Sequence, residues 1–242
     1  TGEPKLIPVT HTQTAARSRL AGAALSITAA DRLTSLSHFD FSTSKFRLHE
    51  CLHAGAAYAL NPWRGSDPMD TIRCLRPSVI YATVFHVETL LSRLPPDVAP
   101  ALGDVRILEL TASTVTDGLR QRVRQRLCAN LHVRYGINEA GPVSMSHPPE
   151  VFEVQGTIGK PLPGVQVEIV NARHQPLPLG HTGLIRIRSP GLVDGYHGDE
   201  ASTRRSFSDG WFTPGDLGRI TSTGELIFCG RADHMMIMNG MN

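Results

Sequence analysis

The first 136 residues switch repeatedly between two hydrophobic periods, and this constrains the fold more than any other feature. Short apolar or β-branched runs ("SVIYATV", "VRILEL", "LHVRYG") alternate with longer segments ("QTAARSRLAGAAL", "HVETLLSRL", "TVTDGLRQRVRQRL") whose apolar residues recur every three or four positions. A strand repeats its face every two residues and a helix every ~3.6, so the two kinds read as strands and helices. Glycine and proline punctuate the pattern. "FRLHECLHAGAAYAL" reads as a helix through Leu52, a break at Gly55 and a strand through Leu60. "DPMDTIRCLRP" opens a helix at Asp67 and Pro68 and stops at Pro77. "LIPVTH" (6–11) reads as a strand end. Ala15, Leu20 and Ala24 are available for one helix face, and Leu119, Val123 and Leu127 for another.

After about residue 149 the texture changes. "VQVEIVNARHQPLPLGHTGLIRIRSPG" alternates apolar and polar residues between Gly and Pro turns. "GRITSTGELIFCGRAD" reads as a hairpin turning at Ser222, Thr223 and Gly224. The predicted fold class is therefore α/β. A mixed, largely parallel α/β layer spans residues 1–149, and a β-rich, distorted-barrel subdomain spans 150–230.

Composition excludes several functions. With 242 residues and 40% hydrophobic content the chain can build a real core. A net charge of +2 demands neither nucleic acid nor membrane as partner. The run Arg120, Arg122, Arg124, Arg126 reads as a solvated helix face rather than a nucleic-acid stripe, because no matching basic stripe occurs elsewhere. Four scattered cysteines without C-x-x-C spacing signal no zinc or dithiol site, and point to a reducing, cytoplasmic setting. No apolar run is long enough to span a bilayer. A start at Thr1 and an end at Asn242 read as the limits of a piece of a longer protein.

Three stretches carry chemistry. "TGEPK" (1–5) offers glycine backbone and a lysine to an anion, without the spacing of a P-loop. "YGINEAG" (135–141) sets an aromatic ring, two glycines, an amide and a carboxylate together. It is either a strand-to-loop exit or part of a site gripping a planar ring and a charged group. "GWFTPGDLGRI" (210–220) fixes Asp216 behind a Pro-Gly turn, where a carboxylate can accept two hydrogen bonds from a ribose diol. The bland reading of that stretch is a hairpin with a surface salt bridge.

Order and spacing connect these stretches. "TG-PK", "FDFS", "YGINEAG", "GTIGKPLPG", "SPGLVDGY" and "GWFTPGDLGRI…GRAD" follow one another along the whole chain, with Asp216 and Arg231 15 residues apart. In this series the chain resembles the adenylate-forming superfamily of acyl-CoA synthetases, luciferases and peptide-synthetase adenylation domains. That resemblance implies ATP-dependent activation of a carboxylic acid as an acyl-adenylate. Pyrophosphate would leave, and the acyl group would pass to a thiol of CoA or of an acyl or peptidyl carrier protein.

The resemblance also implies roles for individual residues. Thr1, Gly2 and Lys5 match the end of the phosphate-binding loop, with Lys5 a catalytic candidate. Tyr135, beside Gly136, would stack on adenine, and Glu139 would bind Mg²⁺. Asn138 stands where the family usually has a threonine that meets the α-phosphate. Thr111, Ala112, Ser113 and Thr114 replace a smaller turn against adenine, with Ala112 and Ser113 the expected nucleotide contacts. Asp216 and Arg231 match the ribose-binding pair. Asp233 matches a hinge, making 231–242 the start of a connection to a C-terminal lid.

The acid itself stays open among amino, aryl and fatty acids. Asp40 of "FDFS" matches an aspartate that holds a substrate ammonium, or is a polar residue at a strand end. His38 sits near an aromatic or histidine gate, and Tyr81, Glu109 and Arg134 match pocket positions. No lysine follows Lys160, so the family's lid lysine has no counterpart within these residues. That leaves a second reading open: a catalytically inactive nucleotide-binding or interaction module derived from the same fold.

Overall fold

The computed structural model describes residues 4–60, 68–95, 100–111 and 113–232. In the first half, helices α1 (His11–Ala24), α2 (Ser42–Ala54), α3 (Pro68–Leu75), α4 (Val84–Arg93) and α5 (Asp117–Arg126) alternate with strands. These strands are β1 (Arg32–Ser35), β2 (Ala57–Tyr58), β3 (Val79–Thr83), β4 (Ile107–Thr111) and β5 (Leu131–Ile137). Strands β6 (Gly141–Ser146) and β7 (Lys160–Pro161) flank the short α6 (Glu150–Glu153). The first sheet has the order β2-β1-β3-β4-β5-β6-β7. It is parallel through β5 and antiparallel from β5 to β7.

The second sheet holds β8 (Gln166–Val170), β9 (Gly183–Arg188), β10 (Phe207–Ser208), β11 (Trp211–Phe212), β12 (Asp216–Ile220) and β13 (Leu226–Arg231), with α7 (Glu200–Ser206) before β10. All its strand pairs are antiparallel. Strand β9 is central, with β8 on one edge and β11 and β12 on the other. The hairpin β12–β13 turns through 221–225, as its sequence predicts. The fold is thus the mixed α/β arrangement the alternation predicts, a largely parallel sheet followed by an antiparallel one.

Strand alternation divides the first sheet between two cores. On one face Ile80, Ala82, Leu108, Leu110, Leu131 and Val133 pack against α4 and α5. Leu119, Val123 and Leu127 are all buried there, each worth ~1.5–3 kcal/mol of transfer free energy. On the other face Val79, Tyr81 and Ile107 meet residues of the second sheet such as Ile169, Ile185 and Ile187. Tyr81, Glu109 and Arg134 share that second face by their register, and α2 covers them.

Three sequence expectations need correction. "LIPVTH" forms no strand: Leu6 makes one isolated bridge to His197, and His11 already starts α1. Pro8 has no N–H for a ladder, and a Thr10–Gln13 capping box takes the following amides into the helix. On α1 the buried residues are Ala16, Arg17, Ser18, Ala21 and Gly22, while Ala15, Leu20 and Ala24 are half-buried. The arginine run on α5 is not a uniform solvated face. Arg120 is fully buried and donates to the carbonyls of Val115, Val151 and Thr157, so its donors are satisfied inside the protein rather than by water. Arg122 pairs with Glu88, and Arg124 lies over the Phe152 ring.

Candidate active site

The stretch 135–141 is not a plain strand-to-loop exit but the tip of a hairpin. Strand β5 runs to Ile137, three residues turn, and β6 returns from Gly141. A register shift between Tyr135 and Gly136 lets the strand bend at its end. Both glycines are required. A Cβ on Gly136 would lie 2.9 Å from the Gly141 carbonyl oxygen. A Cβ on Gly141, which sits at φ +75°, would lie 2.6 Å from Cγ of Arg17.

Tyr135 leans from this hairpin toward the second sheet. Its hydroxyl donates to Oδ2 of Asp216 at 2.5 Å. Arg231 Nη1 donates to Oδ1 of the same carboxylate at 3.0 Å. Asp216 opens β12 and Arg231 closes β13, where the two strands pair them directly. Burial, then the Asp216 charge and hydrogen bond, push the Tyr135 phenol well above its ordinary pKa. Here Tyr135 therefore stays neutral and donating. Ser113, Tyr135, Gly136 and Asp216 line one cavity of about 320 Å³ together with Ile158 and Phe228. That volume suits a small-molecule site walled by an aromatic ring and a few polar groups.

Glu139 sits in the hairpin turn, half-buried. Its Oε1 accepts from the Tyr196 hydroxyl at 2.7 Å, and its backbone carbonyl accepts from Arg17 Nη2 at 2.8 Å. Burial, the Glu139 hydrogen bond and the Glu139 charge all raise the Tyr196 pKa. Lys5 Nζ lies 4.4 Å above the Tyr196 ring, which brings Lys5 and Glu139 to the same residue from opposite ends of the sequence. Asn138 is exposed, and its Oδ1 accepts from Ser42 Oγ at 3.3 Å. No group of three or more His, Cys, Asp or Glu side chains among the described residues could hold a metal. A single carboxylate at Glu139 nevertheless fits Mg²⁺ that arrives with nucleotide phosphates, because Mg²⁺ keeps most of its ligands as water and phosphate oxygen.

A second cavity, about 70 Å³, lies on the other side of β5. It shares Arg134, Gly136 and Ile137 with the first and adds Arg17, Phe46, Arg47, Glu50 and Asn138. Beneath it runs a buried ion network. Arg47 donates to Glu50 and Glu109 at 2.5 Å each, and Arg134 reaches Glu50 at 3.0 Å and Glu109 at 2.7 Å. Tyr81 donates to Glu50 at 3.3 Å. Burial opposes the charge on Glu50, but Arg134 and Arg47 outweigh it and lower the pKa. At Glu109 burial and repulsion from Glu50 win, and the pKa rises. Tyr81, Glu109 and Arg134 are thus brought together as a charged floor.

The remaining predicted site residues are placed as follows. Asp40 and His38 pair at 2.9 Å on the turn before α2, with 83% of the Asp40 side chain exposed. Neither lines either cavity. Thr1, Gly2, Ala112 and Asp233 lie outside the described residues. The residues that sequence reasoning missed are Arg17, Arg47, Glu50 and Tyr196. Only Arg47 and Glu50 carried a signal, a basic and an acidic residue three apart on one helix.

The comparisons with known proteins meet this geometry. Residues 1–197 match the family described as AMP-binding enzyme. The chain belongs to the AMP-binding enzyme family. Among curated relatives it is 30% identical to 2-succinylbenzoate–CoA ligase of Bacillus licheniformis, over 73% of this chain and 36% of that protein. It is 27% identical to indoleacetate–CoA ligase of Aromatoleum aromaticum, over 89% of this chain and 42% of that protein. It is also 30% identical to pyochelin synthetase PchE of Pseudomonas aeruginosa, over 99% of this chain and 18% of that protein. The chain therefore spans well under half the length of these AMP-binding relatives. The AMP complex of O-succinylbenzoate coenzyme A synthetase (MenE) from Bacillus subtilis superposes with a TM-score of 0.87. Identity there is 23%, over 99% of this chain and 49% of that one, so this likeness speaks for the fold. Among the described residues no helix is long and apolar enough to cross a membrane.

Proposed function

We propose that this AMP-binding chain takes part in ATP-dependent activation of a carboxylic acid. The observation that carries the reading is the pair of cavities meeting over Arg134, Gly136 and Ile137, one walled by Tyr135 and Asp216, the other by buried arginines. In this reading adenine lies against Tyr135, and Asp216 exchanges its bond to the Tyr135 hydroxyl for the ribose diol. Arg231 holds the carboxylate in place. The acid enters the smaller cavity.

A carboxylate oxygen of the acid then attacks the α-phosphorus. The bond from that phosphorus to the oxygen bridging to the β-phosphate breaks, and pyrophosphate leaves with the electron pair. Two anions must meet for this, so cations and N–H donors around the α-phosphate lower the barrier most. In this reading Asn138 donates its amide N–H there once it turns from Ser42, and Lys5 faces the phosphates. Glu139 would hold Mg²⁺, which neutralises phosphate charge when bound. In a second step a thiolate of CoA or of a carrier protein attacks the acyl carbon, and AMP leaves.

ATP–pyrophosphate exchange on the full-length protein, across amino, aryl, dicarboxylic and fatty acids, tests the reading. Exchange with at least one acid is expected. ATP binding with no exchange for any acid would instead support a non-catalytic nucleotide-binding module.

A further inference from the structure

The smaller cavity holds an imbalance of charge and of hydrogen bonds. Five buried side-chain polar atoms lack a partner among the described residues, and three of them belong to arginines that line this one cavity: Arg17 Nη1, Arg47 Nε and Arg134 Nε. These residues are 3%, 4% and 5% exposed. Buried donors are normally satisfied, so a cluster of unsatisfied ones at a cavity wall points to an acceptor that is supplied from outside.

The charge count points the same way. Arg47 and Arg134 are matched by Glu50 and Glu109. Arg17 has no carboxylate in hydrogen-bond contact among the described residues. Its Nε and Nη2 go to the carbonyls of Gly191 and Glu139. The Glu139 charge favours the guanidinium at longer range, yet that carboxylate is turned to Tyr196. Burial draws the Arg17 pKa down to about 10, which still leaves it charged at neutral pH. One positive charge in the wall is therefore uncompensated in the cavity itself.

We propose, resting on the adenylation reading, that this cavity selects a short acid carrying a second carboxylate, and that Arg17 holds that second carboxylate. A guanidinium presents paired donors that a carboxylate accepts in a fork, and Arg47 and Arg134 line the same cavity. Size limits the tail. One water needs at least ~10–15 Å³ of such space, so about 70 Å³ has room for roughly five to seven waters and favours a short acid over a long fatty chain. An amino acid is disfavoured, because its ammonium would meet three arginines. Glu50, the carboxylate in the lining, is already held by Arg47, Arg134 and Tyr81.

The test compares malonate, succinate and glutarate with butyrate, benzoate and L-alanine on the full-length protein. Two readouts are taken, pyrophosphate exchange and the shift in melting temperature on adding each acid. ATP affinity is measured in parallel. A dicarboxylate is expected to exceed butyrate by about tenfold or more in kcat/KM for exchange, and to raise the melting temperature where butyrate and L-alanine do not. Arg17→Gln is expected to bring that preference to about twofold or less, and Arg17→Lys, which keeps the charge but not the fork, to retain part of it. Butyrate or L-alanine performing as well as the dicarboxylates, in the unmodified protein, overturns the inference. So does an unchanged preference in a folded Arg17→Gln variant. If ATP does not bind, the adenylation reading fails, and the dicarboxylate shift in melting temperature still decides whether Arg17 recognises an anion.

Discussion

The Tyr135 hydroxyl donates to the Asp216 carboxylate at 2.5 Å, joining two residues 81 apart in sequence and tying the hairpin of the first sheet to the second. The expected adenine platform and the expected ribose acid thus hold each other. Asp216→Ala is expected to weaken ATP binding by about 1.5–3 kcal/mol, the scale of charge-assisted hydrogen bonds. Tyr135→Phe keeps the ring and should cost less than Tyr135→Leu, which removes it. Calorimetric titration of ATP checks the order. An unchanged affinity in Asp216→Ala would remove the ribose assignment.

The same bond has an alkaline consequence. All four tyrosines, Tyr58, Tyr81, Tyr135 and Tyr196, have raised pKa values, chiefly because burial disfavours the phenolate. Tyr58 is pushed up to about 12. Below the unfolded value of ~10 both states keep the proton. Above it the unfolded chain loses protons that the folded chain retains, so stability falls as pH rises. Ultraviolet titration should show little tyrosinate until the protein unfolds, and then a cooperative rise. Four tyrosines titrating independently near pH 10 would contradict the burial.

An acid limit is set elsewhere. His132 and His147 face each other with Nδ1 atoms 3.0 Å apart, beside the first sheet's hairpin. Burial first, then repulsion from His147 and Arg106, lowers the His132 pKa to about 4. The unfolded chain binds a proton near pH 6.5 and the folded chain does not, so this contribution is complete above about 6.5 and is lost as pH falls toward 4. His132→Asn is expected to flatten the pH dependence of unfolding between those values. Histidine NMR titration should find His132 still neutral at pH 5.

Much of the fold was legible because it depends on period. Leu119, Val123 and Leu127 announce their face without any partner in view, and so do the strands around Val79 and Ile107. The motif order picks out Tyr135, Glu139, Asp216 and Arg231, each within two residues of a glycine, and hydrogen bonds join Tyr135 and Arg231 to Asp216. What stayed hidden was long-range. The carbonyls that draw Arg17 into the core belong to Gly191 and Glu139, 174 and 122 residues away. Asp40 shows the reverse: its motif stands out in the sequence, but its side chain is exposed and pairs with His38. A reading of period cannot tell a solvated arginine from Arg120, two of whose three acceptors, Val151 and Thr157, lie 31 and 37 residues away.

The floor of the smaller cavity makes the last prediction. Glu109 is fully buried and matches both Arg47 and Arg134. Glu109→Ala would leave two buried guanidinium groups with Glu50 as their sole carboxylate partner in the network. Removing one partner of a buried pair costs about 3–5 kcal/mol, because the charge left behind cannot return to water. Glu109→Gln keeps an acceptor and should cost less. The exposed pair Arg204–Glu200 supplies the contrast: Arg204→Ala is expected to cost less than ~1 kcal/mol. Urea unfolding of the three variants measures the difference. A Glu109→Ala cost as small as that of Arg204→Ala would mean that water reaches the floor, and that the arginines above it are not held as a dry, positively charged wall.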